Sequence, residues 1–186
     1  KTPMKTTKRA SGRVPWMAAA FGLILATGPQ PPAPPVDVST ETLTIRGHAQ
    51  TLHLYGHRGG DAVVVSSSDG GWVRLGPHIA EVLASRGRFV VGFDSKAYLE
   101  SFTTARSGVR PEDEPGDYAR VIEYASRGSI ERPILVGVSE GAGLSVLAAT
   151  DPRVQRSIAG VVGVGLPDVA ELGWRWRDSI IFLTHG

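Results

Sequence analysis

The segment Gly137-Val138-Ser139-Glu140-Gly141 has the spacing of a serine nucleophile held in a sharp turn. The pattern G-x-S-x-G carries little weight alone. Here, however, the apolar run Pro133–Gly137 leads into it and the small-residue stretch Ala142–Ala149 follows. A strand, a strained turn and a helix in that order expose a serine hydroxyl for acyl transfer. The flanking glycines leave room for neighbouring backbone, and the helix N-terminus brings free N–H groups and a positive dipole end beside a developing oxyanion. The alternative is an ordinary strand-to-helix turn in which Ser139 only caps the helix. A tetrahedral oxyanion normally takes two N–H donors. Glu140, the residue after the serine, offers one. The second is expected from Gly70 or Gly71 in the loop Ser66-Ser67-Ser68-Asp69-Gly70-Gly71-Trp72; the alternative there is a plain turn leading into a helix.

The elements that must position these groups follow from the hydrophobic pattern. Leu43–Ile45 and Thr51–Leu54 read as two antiparallel edge strands. Ala62–Ser66, Phe89–Phe93, Pro133–Gly137 and Ile158–Val164 read as buried strands without alternation. Between them lie helical stretches at His78–Arg86, around Tyr118–Ala125 and at Ala142–Ala149, with a long polar loop expected over 95–114. Buried strands alternating with helices predict a parallel sheet covered on both faces. The order, two edge strands and then repeated strand–helix units, fits the start of an α/β-hydrolase-type three-layer sandwich.

In that architecture the chain order is serine, acid, histidine. Only 47 residues follow Ser139, too few for the remaining strands and both partners. The acid and histidine are therefore expected beyond residue 186, so that the sheet is incomplete at the C-terminus. Inside the chain the candidates are Asp168, right after the fourth buried strand, and His185. His48, His53, His57 and His78 read as surface or structural residues. On this reading the 186 residues alone are inactive, because an unactivated hydroxyl is a poor nucleophile at neutral pH.

Composition narrows the function classes. At 41% hydrophobic and 20% charged, the chain can bury a core. Its formal charge of +2 is unevenly spread: residues 1–28 hold five of the 20 basic residues and no acidic one. The rest carries 15 basic against 18 acidic residues, a net −3 without general attraction for nucleic acid. With no cysteine, disulfides, thiolate nucleophiles and thiolate metal sites are excluded. No metal-ligand cluster and no nucleotide-binding glycine loop is evident, and no cofactor is expected. Residues 4–28 read as a secretory signal: a basic stretch after Met4, the apolar run Trp16–Ala26 and small residues Ala26-Thr27-Gly28. An uncleaved anchor is the alternative. The predicted organisation is a signal peptide over 1–28, a proline-rich linker over 29–37 and a partial domain over 38–186, exported to the periplasm or beyond.

With these motifs in place, the chain resembles the VirJ/AcvB family of exported bacterial proteins. The matching pieces are Ser68-Asp69-Gly70-Gly71-Trp72, Val90-Val91-Gly92-Phe93-Asp94-Ser95 with Tyr98, and Gly137-Val138-Ser139-Glu140-Gly141-Ala142. Gly165-Leu166-Pro167 and Trp174-Arg175-Trp176 are also similar. The chain departs from the family pattern at Ser68, Val138, Glu140 and Gly143. The resemblance implies a link to virulence and an esterase acting on aminoacylated phosphatidylglycerol, especially the lysyl form. It therefore implies a lipid-linked or small-molecule ester as partner and contact with a membrane surface. The competing expectation is a non-catalytic periplasmic binding or virulence-accessory module on the same fold, because fold alone does not decide function.

Overall fold

The computed structural model describes residues 35–168 and 172–173. The predicted leader, Trp174-Arg175-Trp176, Ile180–Leu183 and His185 lie outside the described residues. The chain opens with a hairpin of β1 (Val38–Ile45) and β2 (His48–Tyr55), turning through Arg46 and Gly47 at φ 46° and 87°. Two consecutive positive φ angles match the twist of the flanking strands. The other strands are β3 (Ala62–Ser66), β4 (Phe89–Phe93), β5 (Ile134–Val138) and β6 (Gly160–Val164). Their order in the sheet is β1-β2-β4-β3-β5-β6. β1, β2 and β4 pair antiparallel, whereas β4, β3, β5 and β6 run parallel. β2 is therefore an interior strand, not an edge, and both hairpin strands extend several residues beyond their apolar cores.

The helices are α1 (Leu75–Ala84), α2 (Ser95–Phe102), α3 (Glu114–Ala125), α4 (Glu140–Ala148) and α5 (Pro152–Ser157). α2 replaces the first part of the predicted polar loop. The Asp94 side chain caps it by accepting from Ala97 N–H at 3.1 Å. Its buried side chains Tyr98 and Leu99, with Phe102 packed alongside, form a short stripe easily missed among polar neighbours. α5 was not anticipated either. It starts at Asp151-Pro152, where the Asp151 carboxylate accepts from Arg153 N–H at 2.7 Å and the proline occupies the first turn.

All five residues of β3 and of β4 are buried, as the unbroken apolar runs require. One face of the sheet carries the larger core, where Val64, Val91, Phe93 and Leu135 pack with Tyr98, Tyr118, Ile122 and Leu144. The opposite face packs Val63, Val65, Val90 and Val136 under α1. Among the described residues that second face is only partly covered, where the sequence pattern predicts cover on both faces. Over β5 and β6, Val162 and Val164 are 50% and 40% exposed. With Ile79, Leu83 and Ile134 they line an apolar groove of about 800 Å³.

Candidate active site

Ser139 stands between β5 and α4 at φ 49° and ψ −116°, half-buried, and is one of three non-glycine residues with positive φ among those described. An L-residue reaches that region only under strain, and such strain concentrates at functional sites. Its own backbone is tied down: Ser139 N–H donates to Val164 O at 2.8 Å, and Ser139 O accepts from Ala142 N–H at 2.8 Å. The flanking glycines are sterically required. A Cβ on Gly137 would enter Gly141 O and the backbone of Ala142; one on Gly141 would enter Ser66 O and Ser67 O. The first turn of α4 therefore lies directly on the end of β3, where the second loop begins.

Glu140 is the first residue of α4, where backbone N–H groups face out of the helix end. Its side chain is buried. In the 67–73 loop the glycine N–H groups are already engaged. Gly71 N–H donates to Ser68 O at 3.0 Å, closing a tight turn, and Gly70 N–H reaches Ser68 Oγ at 3.3 Å. The second bond is long and its acceptor is a hydroxyl that can rotate. Gly70 is thus the more readily released of the two donors.

The loop is anchored on both sides. Ser67 N–H donates to Phe93 O at 3.0 Å, and Trp72 N–H to Asp94 Oδ2 at 3.1 Å. The Trp72 ring lies across Gly92, where any Cβ would collide with it, and Trp72 Nε1–H donates to Tyr55 Oη at 3.3 Å. His53 stacks on the same indole at 5.0 Å between centroids. It is half-buried rather than a plain surface residue, and burial lowers its pKa against the opposing charge of Asp94.

Beneath the elbow lies a layer of buried hydroxyls that the sequence reading missed. Tyr118 Oη–H donates to Ser66 Oγ at 3.0 Å, and Ser145 Oγ–H to Gly141 O at 2.7 Å. Nearby, Glu114 is fully buried, and neither carboxyl oxygen has a hydrogen-bond partner among the described residues. Burial, reinforced by the charge of Asp117, pushes its pKa up to about 9. The polar residues interrupting the helical pattern there were the only signal.

No described side chain hydrogen-bonds to the Ser139 hydroxyl. Asp168 is exposed, four residues past β6. His48 lies tilted against Phe102 at 4.4 Å between ring centroids, His57 lies 3.3 Å from Asp37, and His78 is exposed on α1. None of the described residues forms a cluster able to hold a metal ion.

Solved structures of similar shape are α/β-hydrolases. Brefeldin A esterase, a bacterial homologue of human hormone-sensitive lipase, superposes with a TM-score of 0.50 at 24% identity, covering 68% of this chain and 38% of its own. The thioesterase domain from the curacin biosynthetic pathway gives 0.53 at 22% identity, covering 79% of this chain and 52% of that one. The α/β hydrolase GrgF from Penicillium sp. sh18 gives 0.53 at 15% identity, covering 70% and 46%. The chain thus spans between 38% and 52% of the length of these three structures. No curated protein matches it. Residues 61–172 match the family described as bacterial virulence protein (VirJ). That span holds the anchored 67–73 loop, β4 with Asp94, and the strained Ser139 turn, and the chain belongs to the VirJ family on an α/β-hydrolase fold.

Proposed function

We propose that the full-length protein is an exported serine esterase in which Ser139 is the nucleophile. The observation that carries this reading is the Ser139 backbone at φ 49° and ψ −116° on the first turn of α4, with glycines that tolerate no side chain on either side. Strain of that kind persists only where the surrounding structure enforces it. Ser139 Oγ attacks the ester carbonyl carbon as a base removes its proton. The carbonyl electrons move onto oxygen, and Glu140 N–H with Gly70 N–H receives the oxyanion. Collapse expels the alcohol and leaves an acyl-serine, which water hydrolyses. The base and its acid come from Asp168, His185 or residues past 186. Family membership favours a lipid-linked aminoacyl ester such as lysyl-phosphatidylglycerol. Such a substrate brings the protein to a membrane surface, with residues 1–28 as export signal and 29–37 as linker.

Glu140 favours a second reading, a non-catalytic accessory module, since a carboxylate beside the nucleophile opposes negative charge developing there. One experiment separates the two: a fluorophosphonate probe applied to the full-length protein and to its Ser139→Ala variant. The esterase reading expects covalent labelling of the former alone. Absence of labelling in both, with the fold intact, favours the accessory module.

A further inference from the structure

We propose that Asp94 is a positioning residue that sets the oxyanion loop, an inference that rests on the esterase reading for its catalytic consequence. Asp94 sits at the junction of β4 and α2 and serves two elements with one carboxylate. Oδ1 accepts from Ala97 N–H at 3.1 Å and caps α2; Oδ2 accepts from Trp72 N–H at 3.1 Å and holds the end of the loop. Ser67 Oγ lies 3.4 Å from Oδ1 and accepts from Ser95 N–H at 3.0 Å, tying the start of the loop to the same junction. Both oxygens also lie against Gly71, 3.4 Å from where its Cβ would be.

The other end of the loop needs this support. Arg74, which precedes α1, makes no side-chain cap and is itself strained at φ 55° and ψ −103°. α1 therefore does not secure the loop through a cap. Ser67 N–H to Phe93 O fixes one side and Trp72 to Asp94 the other, so only the turn Ser68–Gly71 spans the gap. The Trp72 ring on Gly92 adds a side-chain anchor at the same strand end. The position of Gly70 relative to Ser139 is thus inherited from the end of β4. A carboxylate suits this role because it offers an acceptor to each of two donors from different elements. An asparagine would cap α2 as well but would turn an NH₂ group toward one of the donors.

The test uses the full-length protein with Asp94→Asn, and Asp94→Ser as a second variant that caps a helix but is too short to reach Trp72. Amide hydrogen exchange across 67–73 is expected to rise by about tenfold or more, with 95–102 and the melting temperature little changed. Ester hydrolysis is expected to lose about tenfold or more in kcat with KM within about twofold, since an oxyanion donor acts in the transition state. Unchanged exchange across 67–73 overturns the proposal whether or not the protein is an esterase. Exchange rising equally across 95–102 in both variants also overturns it, leaving Asp94 as a helix cap only. An unchanged kcat overturns it where Ser139→Ala abolishes hydrolysis. If Ser139→Ala leaves hydrolysis intact, the nucleophile assignment fails and the exchange result alone judges Asp94.

Discussion

Ser139 and Glu114 are both held at a cost, and each cost can be measured. At φ 49° and ψ −116°, Ser139 occupies backbone space where glycine is at ease and other residues are not. Ser139→Gly is therefore expected to stabilise the fold by about 1 kcal/mol relative to Ser139→Ala, read by denaturant unfolding, while both block labelling by a fluorophosphonate. A glycine variant no more stable than the alanine one would show that the strain is not stored there. Glu114 carries a pKa raised from 4.5 to about 9, chiefly by burial. Below pH 4.5 the carboxyl is neutral in both states. As pH rises toward 9 the unfolded chain releases its proton and the folded chain does not, so this stability is lost through the window. Glu114→Gln is expected to flatten the fall in melting temperature between pH 5 and pH 9, and to gain about 1 kcal/mol or more at pH 8. Parallel pH profiles for the two proteins would mean that Glu114 is ionised and solvated.

At the scale of elements, two joints hold the end of the sheet that carries Ser139. The first is the packing of α4 on β3, where Gly141 meets Ser66 O and Ser67 O. Gly141→Ala is expected to destabilise by about 2 kcal/mol or more, because both neighbours are backbone and cannot rotate away. Chemical denaturation measures this, and a loss below 0.5 kcal/mol, roughly the scatter of surface substitutions, would contradict the close packing. The second joint clips the β1–β2 hairpin to α3. Arg46 reaches Asp117 Oδ2 at 2.6 Å and Asp113 Oδ2 at 3.1 Å, and its guanidinium lies 3.9 Å over the Phe102 ring. Asp117 is buried and also accepts from Tyr98 Oη–H at 2.7 Å. Arg46→Ala leaves that carboxylate without its cation and is expected to cost about 3 kcal/mol. Arg46→Lys restores only part of this, since an ammonium cannot bond both carboxylates and stack on a ring together.

For the molecule as a whole, the uneven cover of the sheet matters most. Among the described residues, α1 with Trp72 and Val36 packs on the face formed by Val63, Val65, Val90 and Val136, and the groove over β5 and β6 stays open. Contiguous exposed apolar surface promotes association. The 186-residue chain expressed alone is expected to bind hydrophobic dyes and to self-associate, and Val162→Asp or Val164→Asp should reduce both. Dye fluorescence and sedimentation velocity report the outcome. A monomer that ignores the dye would mean that this face is covered in solution.

The elbow, the buried strands at 62–66, 89–93 and 133–137 and the serine-rich loop were legible in the sequence because each rests on local pattern, whereas the strand read as buried at 158–164 forms as β6 but is half-exposed to exposed. Short unbroken apolar runs bounded by turn residues are consistent with buried strands, and glycines on both sides of a serine between strand and helix leave few geometries. Helix α2 was lost to its polar composition, although Asp94 four residues before Tyr98 marked its start. The roles of Glu114, His53 and Asp94 depend on partners distant in sequence: Asp94 meets Trp72, His53 stacks on that same ring, and Glu114 is enclosed by packing. Engagement of the Gly70 and Gly71 N–H groups likewise appears only once the loop has closed on Ser68. Local sequence determined which elements form and where the serine stands. Tertiary structure alone decided which groups are buried, which donors stay available and which face of the sheet is covered, since burial and hydrogen bonding are properties of neighbours that only folding brings together.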